Sequence, residues 1–259
     1  MTSSISIDSS KLIALALLAL MVSASPVAGA SAETSAEIIT ETSADAATSA
    51  RTEKNPDPWE RFNRRMHRFN DVADRFMVRP IAKVYRKVPK PIKRSAGNVF
   101  GNVRDVGDGV NNILQGKIKN GLSDFLRVTI NTTIGLGGLF DPASRMGLND
   151  HQEDFGQTLA SWGMPPGPYV VLPFLGPTTL RDAVSRPMDT SLDAVRFLEP
   201  VAHRNSVYGL RLIHGRSELL AVEGVMFGDR YLFIRNAYLQ RREFLVNDGE
   251  VDDPFGDEF

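Results

Sequence analysis

The chain has 259 residues, of which 42% are apolar and 24% charged, with a formal net charge of −1 and no cysteine. That length and apolar content exclude a disordered chain, a collagen-like repeat and a disulfide-stapled mini-protein, and set the expectation at one domain, or two. Zero cysteine excludes thiolate zinc sites, iron–sulfur clusters, nucleophilic thiols and a thioether lipid anchor within these residues.

Residues 1–32 read as a secretory signal peptide. A short polar stretch ends at Lys11, an 11-residue apolar run follows from Leu12 to Val22, and small residues then offer Ala28-Gly29-Ala30 and Ala30-Ser31-Ala32 as cleavage sites. The run is too short to cross a bilayer as a helix. Residues 33–54 form a Ser/Thr/Ala linker with five acids and only Ile38 and Ile39 as large apolar residues, so a disordered tether is expected. The folded domain is expected over 55–247, with an acidic disordered tail at 248–259.

The helical elements follow in order. Asp57, Pro58 and Glu60 form a helix start with a capping-box spacing. Phe62, Met66, Phe69, Val72 and Phe76 then mark an aromatic face opposite arginines, in a helix expected to end before Pro80. Between Arg61 and Arg94 stand twelve Lys or Arg against two acids. This run faces either anionic headgroups or simply solvent; export argues against nucleic acid.

Val99 to Ile113 mark a helix carrying Gly97, Gly101, Gly107 and Gly109, glycines that predict close backbone approach. Ile118, Leu122, Phe125, Leu126, Thr129 and Ile130 define the next helix, whose apolar face is expected to pack on another helix. Gly135 to Phe140 is an apolar, glycine-hinged turn that fits neither the P-loop nor the dinucleotide fingerprint. In a soluble enzyme it would be a buried tight turn; in a lipid-handling protein it would be a mobile apolar lip.

Phe155, Leu159 and Trp162 lie on a short helix with Asp150 as its cap. Five prolines between Met164 and Pro177 predict an extended, surface-wrapping segment rather than a central strand. Thr178 or Thr179 starts another helix. Two more follow over Ser206–Phe227 and around Tyr231–Leu245, the last with Arg241-Arg242 suited to the dipole near its C-terminal end. The sum is an all-α protein.

Catalytic motifs are missing. The four histidines are scattered, and H-E-x-x-H and G-x-S-x-G do not occur. Asp150-His151-Gln152-Glu153-Asp154 is the one acid-rich histidine cluster, read more simply as a charged helix N-terminus than as a metal or acid–base site. No catalytic residue, metal ligand or cofactor is assigned.

Several ordered segments resemble the MlaA (VacJ) outer-membrane proteins of phospholipid transport. They are Asn55 to Arg64, Phe69-Asn70, Val78-Arg79-Pro80, Asn131-Thr132, Gly135 to Asp141, Phe155 to Leu159, Gly167 to Pro173, Thr179 to Asp182 and Ala237 to Arg242. The resemblance implies a ring-like assembly of amphipathic helices within the periplasmic leaflet of the outer membrane, with a Gly-rich loop and a Pro-rich segment. It implies a non-enzymatic phospholipid channel that maintains lipid asymmetry, associates with a trimeric porin and passes lipid to a periplasmic carrier of the MlaC type.

Carried over by that resemblance, Gly135, Leu136, Gly137, Gly138, Leu139 and Phe140 form a loop gating the lipid path, and Phe69, Asn70 and Asp71 form a first-helix segment influencing opening. A periplasmic lipid hydrolase using His151 and an envelope scaffold are the alternatives. Members of this family are commonly lipoproteins, whereas the signal here ends without a lipobox cysteine. The expectation is therefore outer-membrane attachment without an acyl chain, through interfacial helices and the porin.

Overall fold

The structure, a computed structural model, describes residues 57–221, 223–225 and 228–250. The expected signal peptide, the linker, Phe227 and the tail beyond Glu250 lie outside the described residues. All described residues belong to the unit Asn55–Phe259.

The architecture is predominantly helical, as the periodicities predict. Helix α1 (Glu60–Ala73) runs through a π-helical turn (Asp74–Val78) into α2 (Arg79–Tyr85). Two expectations change here. Pro80 does not terminate the helix: the widened turn satisfies Asp74's carbonyl from Arg79 one residue before the proline, so Pro80 enters at the first turn of α2, where its missing N–H costs little. Nor is Asp57 a cap. It is buried, accepts from Asn63 Nδ2 at 2.7 Å and from the Tyr231 hydroxyl, and so ties the start of α1 to the last helix.

Helix α3 (Lys90–Leu114) starts on Pro89 and Pro91 and ends at Gly116, whose φ of 81° suits a residue without a Cβ. Helix α4 (Ile118–Thr133) folds back along it. Their backbones approach closely at Gly109 and Gly121: a Cβ at Gly121 would lie 2.8 Å from the Gly109 carbonyl. At Gly101 the expected crowding is absent, with nothing within 4 Å of the point where a Cβ would stand.

The short helix α5 (Pro142–Arg145) is capped by Asp141, and α6 (Phe155–Ser161) by Asp154, which accepts from Gln157 N at 2.9 Å. Asp150, the expected cap, lies further upstream. The proline-rich segment forms an antiparallel hairpin, β1 (Tyr169–Leu172) with β2 (Gly176–Thr179), in the register Tyr169↔Thr179 to Leu172↔Gly176. This corrects the surface-wrapping expectation: Tyr169 and Val171 are among the most buried side chains. Pro177 is tolerated because each strand of a two-stranded sheet has a free edge.

Thr179 then caps α7 (Leu180–Leu192) through Asp182 N, as expected. A 3-10 turn (Ala194–Phe197) leads to α8 (Val201–Leu219), and α9 (Arg230–Val246), capped by Asp229, closes the described domain. The apolar core is small: Tyr169, Val171 and Tyr231, with Met66, Leu232, Tyr238 and Leu239 against them.

Candidate functional site

Burial is inverted relative to a water-soluble protein. Among the described residues seven buried side chains are apolar and eighteen are polar or charged. Large apolar side chains point outward instead: Phe62, Phe69 and Phe76 of the first helical run, Ile118, Leu122 and Leu126 of α4, and Phe197, with Phe76 74% and Phe197 76% exposed. Of the α4 apolar face, Phe125 packs against Gly109 of α3, but Ile118, Leu122 and Leu126 do not pack on another helix, contrary to expectation.

The α3–α4 seam is built from the opposite faces. Asp105, Asp108, Asn111 and Asn112 are the buried polar residues of α3, and Asp124, Arg127 and Asn131, with Gly121, are those of α4. Asn112 donates to Asp124 at 2.8 Å, and Arg127 donates to Asp105 at 3.1 Å and to the Leu148 carbonyl at 2.8 Å. Small residues with polar interhelical bonds inside and large apolar side chains outside are how helices pack when hydrocarbon rather than water surrounds them. No described helix is long and apolar enough to cross a membrane.

The acid-rich cluster serves as a fastening strip. Asp150 binds Arg104, His151 Nδ1 lies 2.8 Å from Asp124, the Gln152 carbonyl accepts from Gln157, Glu153 binds Lys117 and Gln115, and Asp154 takes both amino groups of Arg242. Each residue thus ties a different element, and His151 has a structural partner. Asp105, Asp108 and Asp150 come within 4.8 Å of one another. Arg127 and Arg104 supply the positive charge at that trio. Burial raises the Asp108 carboxyl to about 8 against the pull of Arg104, and burial with the neighbouring Asp150 raises Asp105 to about 6.

Arg242 is the second centre that pattern reasoning missed. It does not serve the dipole of α9; it is buried against Asp154 and Asp182, with Tyr238 donating to Asp182 at 2.8 Å. Burial pushes the Asp154 carboxyl up, but the Arg242 guanidinium and the Gln157 N–H outweigh it and hold it below its ordinary value. Gly156 sits under this pair, where a Cβ would lie 2.5 Å from both Arg242 Nη2 and Asp182 Oδ1.

Beside these networks opens a cavity of about 430 Å³, walled by α3, the 152–157 segment, α7, α8 and α9. Its lining mixes both charges, Asp108, Glu153 and Asp189 with Arg104, Arg211 and Arg241, and adds Val103, Leu192 and Leu245. Burial, partly offset by the Phe155 N–H, raises Asp189 to about 6.

The glycine loop and the first-helix segment occupy different settings. The loop is pinned to α3 and α4: Asn98 donates to the Leu139 carbonyl, Gly137 N to Thr132 O and Gly138 N to Asn131 O. Leu136 at φ 55°, Gly137 and Gly138 all take left-handed backbone, and a Cβ at Gly135 would lie 2.4 Å from two carbonyls. Leu136, Leu139 and Phe140 project outward from this fixed base. Asn70 instead clamps the hairpin turn, donating to Leu172 O at 2.9 Å and accepting from Phe174 N at 2.8 Å, while Phe69 meets the Phe174 ring edge-on. Asp71 lies 3.5 Å from His67 and 3.6 Å from Arg230.

Comparisons with known proteins agree with this architecture. The family described as MlaA lipoprotein matches residues 55–245. The "Intermembrane phospholipid transport system lipoprotein MlaA" of Escherichia coli is 36% identical over 75% of this chain and 80% of its own. Its namesake in Haemophilus influenzae is 34% identical over 77% of this chain and 82% of its own. A solved structure described as the structural basis for maintenance of bacterial outer membrane lipid asymmetry superposes with a TM-score of 0.66 at 34% identity, covering 74% of this chain and 99% of that one. These names correct one expectation. The relatives are lipoproteins, so attachment without an acyl chain is not the pattern of the group, and the lack of cysteine in these 259 residues does not carry that conclusion. With the ordered segments, the inverted burial and a family match across residues 55–245 in agreement, the chain belongs to the MlaA lipoprotein family.

Proposed function

We propose that this protein is the outer-membrane component of an intermembrane phospholipid transport system, seated by its apolar exterior in the periplasmic leaflet and giving phospholipid a passage between its helices. The observation that carries the reading is the inverted burial. Each large apolar side chain withdrawn from water contributes about 1.5–3 kcal/mol, so an exterior with Phe62, Phe69, Phe76, Ile118, Leu122, Leu126 and Phe197 exposed is costly in water and stabilising in a bilayer. The relatives' role in phospholipid transport and lipid asymmetry supports the same assignment.

In this reading the helices close a ring around a passage whose polar side is the mixed-charge cavity, so a headgroup crosses without entering bare hydrocarbon. The Gly135–Phe140 loop acts as the gate: its base is held by α3 and α4 while Leu136, Leu139 and Phe140 meet the acyl chains. Phe69, Asn70 and Asp71 bias opening through the hairpin that Asn70 holds. A trimeric porin shares the membrane seat, and a soluble carrier of the MlaC type receives the lipid. The protein supplies no catalysis and no energy source.

Deleting the gene and measuring outer-leaflet phospholipid with a membrane-impermeant amine label tests the reading. Labelled lipid and detergent sensitivity should both rise and return to normal on complementation. An unchanged outer leaflet overturns it.

A further inference from the structure

The charged groups lining the cavity are mostly spent on one another. Asp154 is taken by Arg242, Glu153 by Lys117, Asp108 by Arg104, and Asp193 by Arg211 Nη1 at 2.7 Å. Four polar groups on its wall are left over among the described residues. Asp189 accepts only the Phe155 N–H, at 2.7 Å, and has no ion pair. Gln157, 3% exposed, has an unpartnered Oε1. Arg211 keeps Nε and Nη2 buried without a hydrogen bond, its guanidinium 5.7 Å from the Phe100 ring, and Arg241, exposed at the rim, has no ion pair.

These remainders are of both kinds, acceptors on α6 and α7 and cationic donors on α8 and α9. A simple anion would answer Arg211 and Arg241 and leave Asp189 and Gln157 facing it unmatched. A simple amine would do the reverse. Gln157 Oε1 and the two Arg211 nitrogens are buried without hydrogen bonds, which costs free energy, and half-buried Asp189 and exposed Arg241 add a second acceptor and a second cation, so the ligand that answers all four carries an ammonium and a phosphate together.

We infer that the cavity is a binding site for a phosphoethanolamine-type zwitterion, with its ammonium at Asp189 and Gln157 Oε1 and its phosphate at Arg211 and Arg241. Val103, Leu192 and Leu245 provide apolar wall for the carbon backbone between and beside these charges. A volume of about 430 Å³ suits a headgroup with its glycerol rather than a whole diacyl lipid. The inference rests on the reading of this protein as a phospholipid passage, and adds to it a preference for amine-bearing over anionic headgroups.

The test uses the full chain in two arms. In the first, donor vesicles containing phosphatidylethanolamine and phosphatidylglycerol in equal amounts are mixed with acceptor vesicles, and each transferred lipid is quantified by mass spectrometry. The amine lipid should be favoured by about tenfold, the worth of one charge-assisted contact. Asp189→Asn keeps an acceptor for Phe155 N and should bring the ratio close to one, whereas Arg211→Gln should slow both lipids.

In the second arm, glycerophosphoethanolamine, glycerophosphoglycerol and inorganic phosphate are titrated against the protein and followed by phosphorus NMR. Saturable broadening of glycerophosphoethanolamine alone, lost in Asp189→Asn, extends the site to the free headgroup. Its absence beside a tenfold lipid preference confines the site to the lipid-borne form.

Equal transfer of the two lipids overturns the headgroup assignment and leaves transport standing. Transfer of neither defeats the transport reading, and the titration then decides the site alone. Equal broadening of inorganic phosphate and glycerophosphoethanolamine overturns it there.

Discussion

The close approach of α3 and α4 makes a prediction with two opposite signs. A methyl group at Gly121 would stand 2.7 Å from Ile113 Cγ1 and 2.8 Å from the Gly109 carbonyl, and the second contact is backbone that cannot swing aside. Forcing the helices apart costs about 1–3 kcal/mol by overpacking. It also stretches the Asn112–Asp124 and Arg127–Asp105 contacts of the seam. Alanine returns about 1 kcal/mol of helix propensity, so Gly121→Ala should lose about 1–2 kcal/mol overall. Gly101→Ala, on the same helix pair with nothing within 4 Å, receives the propensity gain without the clash and should be stabilised by about 0.5–1 kcal/mol. Thermal unfolding in one detergent, followed by far-ultraviolet circular dichroism, reads both, at roughly 2–4 °C per kcal/mol for a domain this size. If Gly121→Ala melts at or above the wild-type temperature, the seam is not a close-packed contact and the reasoning fails.

Removing the cation from the second polar centre should be severe. Arg242→Met leaves the buried Asp182 and the half-exposed Asp154 without their shared cation, and about 3 kcal/mol of stability should disappear; a loss under 1 kcal/mol in urea titration would show that water already reaches Asp182. The pH response of Asp189 has a defined sign. Its carboxyl is raised to about 6 in the fold, from 3.8 in the open chain, by burial and by Asp154, with Arg242 pulling the other way and Asp182 adding to the rise. A raised carboxyl stabilises the fold at low pH, and that contribution is lost as pH climbs through 6; Asp189→Asn, which mimics the protonated form, should therefore raise stability at pH 8 by up to about 1 kcal/mol and change nothing at pH 4. The same gain at both pH values would remove the titration from the explanation. On the exterior, replacing Phe76 and Phe197 together by serine should leave the melting temperature in detergent unchanged and weaken binding to vesicles by about 2–4 kcal/mol. Undiminished vesicle binding would mean that these rings do not face hydrocarbon.

The all-α architecture, the helix start at Thr179, the presence of a helix within 150–163 (though capped by Asp154 rather than Asp150) and the Gly135–Phe140 turn were legible because each depends on local chemistry: caps, prolines and residues that admit positive φ. The features that escaped depend on partners far along the chain. Asp57 reads as an ordinary cap until Tyr231, 174 positions away, is known to reach it. Arg242 reads as a surface cation at a helix end until the packing of α9 sets it between Asp154 and Asp182. Tyr169 and Val171 are masked by nearby prolines that flank β1 or, as Pro177 does, sit within the edge strand β2.

The most instructive miss is which face of α4 turns outward. Helical periodicity reports that apolar and polar residues lie on opposite sides; it carries no sign, because the same moment points inward in water and outward in hydrocarbon. A sign was nevertheless present in the sequence, in the polar stripes rather than the apolar ones. Asp105 and Asp108 recur at helical spacing on α3, and Asp124, Arg127 and Asn131 do so on α4, with Gly109 and Gly121 at the same depth. A solvated face tolerates any mixture of charges, whereas two successive helices whose stripes set a carboxylate and an amide on one against a guanidinium and a carboxylate on the other are complementary to each other. Glycines within those stripes favour contact over solvation, since a water-facing position gains nothing from the loss of a side chain. Complementary polar stripes with embedded glycine therefore mark the inward face, and the apolar residues left over mark the surface that requires a membrane.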